Sequence, residues 1–254
     1  MFPIENQISF NKLYYINSQM NYAVLLSGGV GSRVGEDRPK QYIEISGRPL
    51  FMFALEAILP LKIIDKIIIC LSDEWKEYVE SFTNPLNDKR ILFSNAGISR
   101  EESVFNSLNT IKGTLNPTDN DVVVITESAR PLASSALIKS VTLAVNGYDG
   151  ALPIIPIKDT VYESPDKINI DSVPERDFLF IGQSPEAFVF NKYYDIHLGM
   201  TSEALANCHG SAQLAFDNGF KIHLIPGEES NRKITTAVDL EYFKFIVQNR
   251  QLIK

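Results

Sequence analysis

The chain has 254 residues, enough for one large domain with a sizeable core, and its 44% apolar and 10% aromatic content is that of a folded protein, not a disordered one. A formal net charge of −7 excludes a general nucleic-acid binder, which needs a basic face. No apolar run reaches the roughly 20 residues of a membrane helix, and two cysteines, Cys70 and Cys208, form no disulfide framework and suit a reducing cytoplasm.

Residues 1–20 lack a charged start followed by a long apolar core, so no secretory signal is expected, and they read as an extension ahead of a single domain over 21–254. Residues 22–26 are a short apolar run, predicting a buried strand that ends in Leu26. Ser27, Gly28, Gly29, Val30, Gly31, Ser32 and Arg33 follow at once. Glycines in such a turn let successive backbone N–H groups approach phosphate oxygens. On glycines alone, a tight connection and a ligand loop fit equally well. The dinucleotide fingerprint is broken by Val34, and the P-loop pattern is absent. Arg33 and Lys40 add two cations at the same mouth, suited to neutralising a triphosphate, and Pro39 fixes the turn that presents Lys40.

Strand and helix patterns then alternate. Residues 50–59 read as a helix bounded by Pro49 and Pro60, 66–71 as a strand, 73–82 as a helix capped by Ser72, and 90–93 as a strand. A helix over 99–111 has Ser99 and Glu102 in capping-box spacing. A strand over 121–126 and a helix over 134–145 follow. This order implies a mostly parallel central sheet covered by helices on both faces, a Rossmann-like three-layer α/β sandwich with ligands at the carboxyl ends of its strands. Between about 153 and 185, prolines and charges interrupt short apolar runs, predicting a protruding β-arm. A helix over 211–218, a strand over 221–225 and a closing helix over 238–248, with Thr235 or Thr236 as cap, complete the chain.

Several residue groups could carry chemistry. Gly97, Arg100 and Ser103 surround a helix start that offers backbone donors, although an ordinary cap has the same pattern. Glu127 ends a strand, followed by Arg130 and Pro131. A carboxylate there suits a magnesium ion bridging phosphates, and a solvated Glu127–Arg130 pair fits as well. Thr160, Arg176 and Ser184 lie in the arm region, Lys233 lies in the run Asn231-Arg232-Lys233-Ile234-Thr235, and His209 precedes Gly210 and Ser211.

Taken in order, GGxGSRxG…PKQY…GRPL, AGISREESVFNSL, TESARP, KDTV with ERDFLFIGQSPEAF, and NRKIT…DL resemble the methylerythritol-phosphate and ribitol-phosphate cytidylyltransferases over about residues 22–245. That resemblance implies transfer of CMP from CTP to a small polyol or sugar phosphate, with release of pyrophosphate and a CDP-linked product. It implies Arg33, Lys40 and Lys233 as catalytic cations, with Leu26, Ser27, Gly28, Gly29, Gly31, Ser32, Gly97, Arg100, Ser103 and Glu127 binding the nucleotide. It implies Arg130, Thr160, Arg176, Ser184 and His209 for the acceptor, and Mg2+ at Glu127. It further implies a cytoplasmic homodimer in which Arg176 serves the neighbouring pocket, with no nucleic-acid or membrane partner. The chain departs from the family pattern at Thr126 for histidine, Glu127 for aspartate and Ser184 for threonine. His209, Gly210 and Ser211 stand where an acidic Thr-Asp-Asp/Glu run is expected. Another nucleotide or a sugar 1-phosphate acceptor, and a catalytically silent nucleotide-binding relative, are the alternatives these departures keep open.

Overall fold

The β-branched runs of the sequence become the centre of a sheet. In a computed structural model that describes residues 19–29, 38–208 and 210–249, β1 (Asn21–Leu26) lies between β4 (Lys66–Leu71) and β6 (Val122–Glu127), parallel to both. Calls on residues 1–18, Gly31, Ser32, Arg33 and His209 fall outside the described residues. β5 (Ile91–Asn95) extends the sheet beyond β4. On the other side come β9 (Glu186–Val189), β7 (Gly150–Pro156) and β10 (Ile222–Pro226), giving the order β10-β7-β9-β6-β1-β4-β5. Only β9 runs against its neighbours along this path, since it is antiparallel to both β6 and β7.

Side chains alternate along each strand, so each face buries its own half of the apolar residues. Ala23, Leu25, Ile67, Ile69, Val122 and Val124 pack on one face against α1 (Leu50–Ile58), α2 (Lys76–Thr83) and α4 (Ser135–Ala144). Tyr22, Val24, Ile68, Val123 and Ile125 pack on the other face against α3 (Arg100–Leu115) and α5 (Phe190–Leu198). The expected three layers are therefore present. A third cluster joins the small hairpin β2 (Glu44–Ile45) and β3 (Arg48–Pro49) to the closing helix α8 (Ala237–Gln248), through Ile43, Ile45, Phe53, Ile234 and Phe243.

Caps set the helix starts. Ser99 and Ser134 accept from backbone N–H groups three residues on, and Thr236 with Asp239 forms a full capping box. The predicted box at Ser99 is altered: Glu102 reaches the N–H of Ile98 (2.8 Å), one residue further back. The predicted helix over 73–82 needs a correction. Residues Asp73–Trp75 form a 3₁₀ turn before α2, and the Ser72 side chain caps nothing, its hydroxyl facing the Glu74 carboxylate instead. Two short helices, α6 (Ser202–Ala206) and α7 (Ser211–Asp217), follow α5.

The arm is a hairpin excursion. β7 pairs antiparallel with β8 (Phe180–Gly182), and the chain between them folds back through a Glu163–Ser172 bridge. Its apolar side chains Ile168, Ile170, Val173 and Phe178 are exposed in the single chain.

Candidate active site

The register places Leu26 level with Cys70 and Glu127, so the loops leaving β1, β4 and β6 open on one edge. The loop after β1 is held from three sides. Gln41 donates its amide to the carbonyls of Ser27 and Gly29 (2.7 Å each), and the Tyr42 hydroxyl donates to Ser27 (2.8 Å). The hydroxyls of Ser27 and Ser128 share a hydrogen bond of 2.5 Å. Gly28 is required by contact, because a Cβ there would collide with that of Ala96 in the loop after β5. Gly97 is tight for the same reason, against Glu102. Ser103 completes this wall: its hydroxyl accepts from the Gly97 N–H (3.0 Å) and donates to the Ser99 carbonyl (2.8 Å).

These loops enclose a cavity of about 180 Å³ whose wall includes Leu26, Gly29, Arg100 and Ser103, with Lys40, Glu127 and Lys233 at its charged end. Lys40 donates to the Ile234 carbonyl (2.8 Å), 194 positions further along the chain. The Lys233 ammonium lies 2.8 Å from Glu127 Oε2, while Arg100 Nε donates to Glu127 Oε1 at 2.8 Å. Burial opposes charge on Glu127, yet Arg100 and Lys233 outweigh it and hold the carboxyl down at about 2. The carboxylate is thus ionised at any working pH.

Lys233 also lines a second, wider cleft of about 820 Å³, together with Arg130, Lys158, Gln183 and Arg232. Arg130 donates to the Asn231 carbonyl (2.8 Å), which sets the 229–233 loop beside the end of β6. Burial pulls its guanidinium down from its ordinary value, opposed by Glu127 and Glu186. The structure therefore gathers Leu26, Gly29, Lys40, Arg100, Ser103, Glu127 and Lys233 around one cavity, with Arg130 next door. Ser27, Gly28 and Gly97 shape its walls. Thr160 and Arg176 lie apart on the exposed arm, where Arg176 donates to the Lys158 carbonyl (2.9 Å). Ser184 is buried, and its hydroxyl donates to Ile125 (3.2 Å).

The sequence reading missed what lies behind Arg100. Its terminal nitrogens meet Glu101, Ser211 (2.7 Å) and Glu186 (2.9 Å). Glu101 and Glu186 are buried charges, a placement that no sequence pattern marked, because acids in a first helical turn or a hairpin region read as solvated.

Lys40 and Lys233, far apart in sequence, line one cavity with Gly29 at the carboxyl edge of a parallel sheet, an arrangement suited to a nucleotidyltransferase. The family model described as IspD, 2-C-methyl-D-erythritol 4-phosphate cytidylyltransferase, matches residues 22–249, and the chain belongs to that family. It is a CTP-dependent cytidylyltransferase. Among solved structures, it is similar to 4-diphosphocytidyl-2C-methyl-D-erythritol synthase from Anaerococcus prevotii, at 26% identity over 93% of this chain and 99% of that one, with a TM-score of 0.78. The fold is shared with the Francisella tularensis 2-C-methyl-D-erythritol 4-phosphate cytidylyltransferase, at 22% identity over 89% of this chain and 99% of that one, TM-score 0.74.

Proposed function

We propose that the chain transfers CMP from CTP to 2-C-methyl-D-erythritol 4-phosphate, with Lys40 and Lys233 as the cations at the reacting phosphorus. The observation that carries this reading is the place of Lys233, on a wall common to the nucleotide cavity and the cleft beside Arg130. A side chain there touches both anions that must meet. A phosphate oxygen of the acceptor attacks the α-phosphorus and pyrophosphate leaves; the nucleophile is already an anion, so no base is required. The work is alignment of two mutually repelling groups and neutralisation of charge at phosphorus. Ser103 and the Gly97 backbone suit the cytosine edge, and Arg130 suits the acceptor phosphate. Arg33, from the sequence pattern, is the third cation.

Magnesium belongs to the same proposal. Mg2+ takes one or two carboxylates and completes its shell with phosphate oxygens and water. Glu127 supplies one ionised carboxylate, and among the described residues no cluster of three or more ligating side chains is gathered for a metal. Glu127 would hold an ion carried in on the triphosphate by exchanging its contact with Lys233 or Arg100, and the ion would neutralise phosphate charge. The arm supports a homodimer: its exposed Ile168 and Phe178 suit a second copy, which would bring Thr160 and Arg176 to the neighbouring acceptor cleft. A cytoplasmic location accords with two unpaired cysteines; no helix among the described residues is long and apolar enough to cross a membrane.

One observation favours a different polyol phosphate. The resemblance expects a Thr-Asp-Asp/Glu run leading into α7, where this chain has His209, Gly210 and Ser211, and the Ser211 hydroxyl is committed to Glu101 and Arg100. Pyrophosphate release from CTP and Mg2+ with a panel of phosphorylated polyols and sugars separates the two. Fastest turnover with 2-C-methyl-D-erythritol 4-phosphate is expected; turnover only with ribitol phosphate or a sugar 1-phosphate would overturn the acceptor assignment. Equal rates with ATP, GTP or UTP would overturn the choice of base.

A further inference from the structure

Arg100 has one end in the nucleotide cavity and the other in a buried group of acids. Its Nε donates to Glu127. One terminal nitrogen meets Glu101 and the Ser211 hydroxyl, and the other meets Glu186 Oε1 at 2.9 Å. Each partner comes from a different element: Glu127 from the end of β6, Glu186 from β9, Ser211 from α7, and Glu101 from the same turn of α3. The acids are themselves held. Glu186 Oε2 accepts from the Ala212 N–H (2.7 Å), and Ser211 donates to Glu101 at 3.1 Å. Behind Glu101 stand the Tyr193 hydroxyl (3.4 Å) and the His197 ring (3.9 Å).

A guanidinium has five donors in a rigid plane, so occupying four of them on three sides fixes its direction. With Arg100 fixed, Glu127 Oε1 is fixed, and Oε2 then sets where the Lys233 ammonium rests. We propose that Glu186 and Ser211 are positioning residues for nucleotidyl transfer, acting through Arg100 on Glu127 and so on Lys233, although neither lines the nucleotide cavity. The inference rests on the reading that Glu127 and Lys233 serve the reacting phosphorus. By analogy, the hydrogen-bond partners that orient metal ligands commonly change affinity or activity by about 10–100-fold when removed.

The test is a double-mutant cycle on turnover. Glu186→Gln keeps the shape of the side chain and removes the charge that orients Arg100. It should lower kcat about tenfold while leaving KM for CTP within about threefold, because the transition state suffers more than nucleotide binding. In a Glu127→Gln background the same substitution should cost less than about twofold, since the route it acts through is already cut. Unchanged kcat for Glu186→Gln, or an equal tenfold loss in both backgrounds, would overturn the proposal. Glu127→Gln alone tests the underlying reading, and full activity in that variant would sink the reading instead. Should Glu186→Gln fail to fold, Ser211→Ala decides by the same cycle: a kcat loss of a few-fold that disappears beside Glu127→Gln is expected, and a persistent or absent loss overturns it.

Discussion

Glu127 shows how a single carboxylate ties stability to chemistry. Its carboxyl is held below the ordinary carboxylate range by Arg100 and Lys233 against the cost of burial. A group whose folded value is depressed adds stability above its unfolded value and loses it as pH falls toward the folded one. The window here runs from about 4.5 down to about 2. Urea unfolding of the wild type and Glu127→Gln should show a stability gap that narrows by roughly 3 kcal/mol between pH 6 and pH 2. A gap that stays constant with pH would refute the ion-pair account. Lys233→Ala should lower kcat per folded molecule by about 10²–10³-fold, because that loss falls on the transition state, and should also lower the melting temperature, because the buried Glu127 carboxylate is left to Arg100 alone. Lys40→Ala should raise KM for CTP as well, since Lys40 also steadies the Ile234 carbonyl. Steady-state kinetics on both variants check this pair. At this scale the motifs made part of the site readable, while Thr160, Arg176 and Ser184, which also sit in motifs, do not line the cavity. Lys40, Ser103, Glu127 and Lys233 all reached one cavity, whereas the buried acids Glu101 and Glu186 carried no sign of burial, their partners lying as far as 110 residues away along the chain.

Elements divide the labour between the two ends of the sheet. At the amino end, Asp121 accepts from the Tyr22 hydroxyl (2.6 Å), the Met20 N–H (3.0 Å) and the Thr118 hydroxyl (2.8 Å), and burial with this bond raises the Tyr22 hydroxyl above its ordinary value. Asp121→Ala should therefore destabilise the fold by about 2–3 kcal/mol, at roughly 1 kcal/mol per bond, while kcat per folded molecule stays unchanged. Chemical denaturation and an active-site titration would measure both halves, and a kcat loss beyond twofold would break the division. At the carboxyl end, Gly28→Ala would force the loops after β1 and β5 apart. It should raise KM for CTP by tenfold or more, with a smaller effect on melting; an unchanged KM would show that the close approach is not needed for binding. The strands β1 and β4 and the helices α1 and α8 were legible to within a residue or two, because apolar runs and prolines or caps mark them. β9 was not. Its four residues, Glu186–Val189, sit inside a stretch whose prolines and charges announce a hairpin, and nothing local says that it inserts between β6 and β7.

For the molecule as a whole, the arm is the part that makes little sense alone. Phe178 and Ile168 are 76% and 85% exposed, and Arg176 spends its contact on the neighbouring Lys158 carbonyl. Light scattering should give the mass of two chains. Phe178→Asp should shift it toward one chain and raise KM for the acceptor several-fold more than KM for CTP. A wild-type monomer with full activity would rule out a shared site. The three-layer arrangement itself was legible from the alternation of strand and helix; a second copy over the arm was expected only through the resemblance, because apolar residues on a hairpin name no partner.

The hydrogen bond from Lys40 to Ile234 spans 194 positions. On a ribosome, the sheet strands up to β10 could assemble before the codons for Lys233 and Ile234 are translated, yet the cavity would lack both Lys233 and the brace for Lys40. A prematurely terminated product would thus be able to fold in large part and still be inert. Competence hangs on a contact made by residues 233 and 234, which add no strand to the sheet.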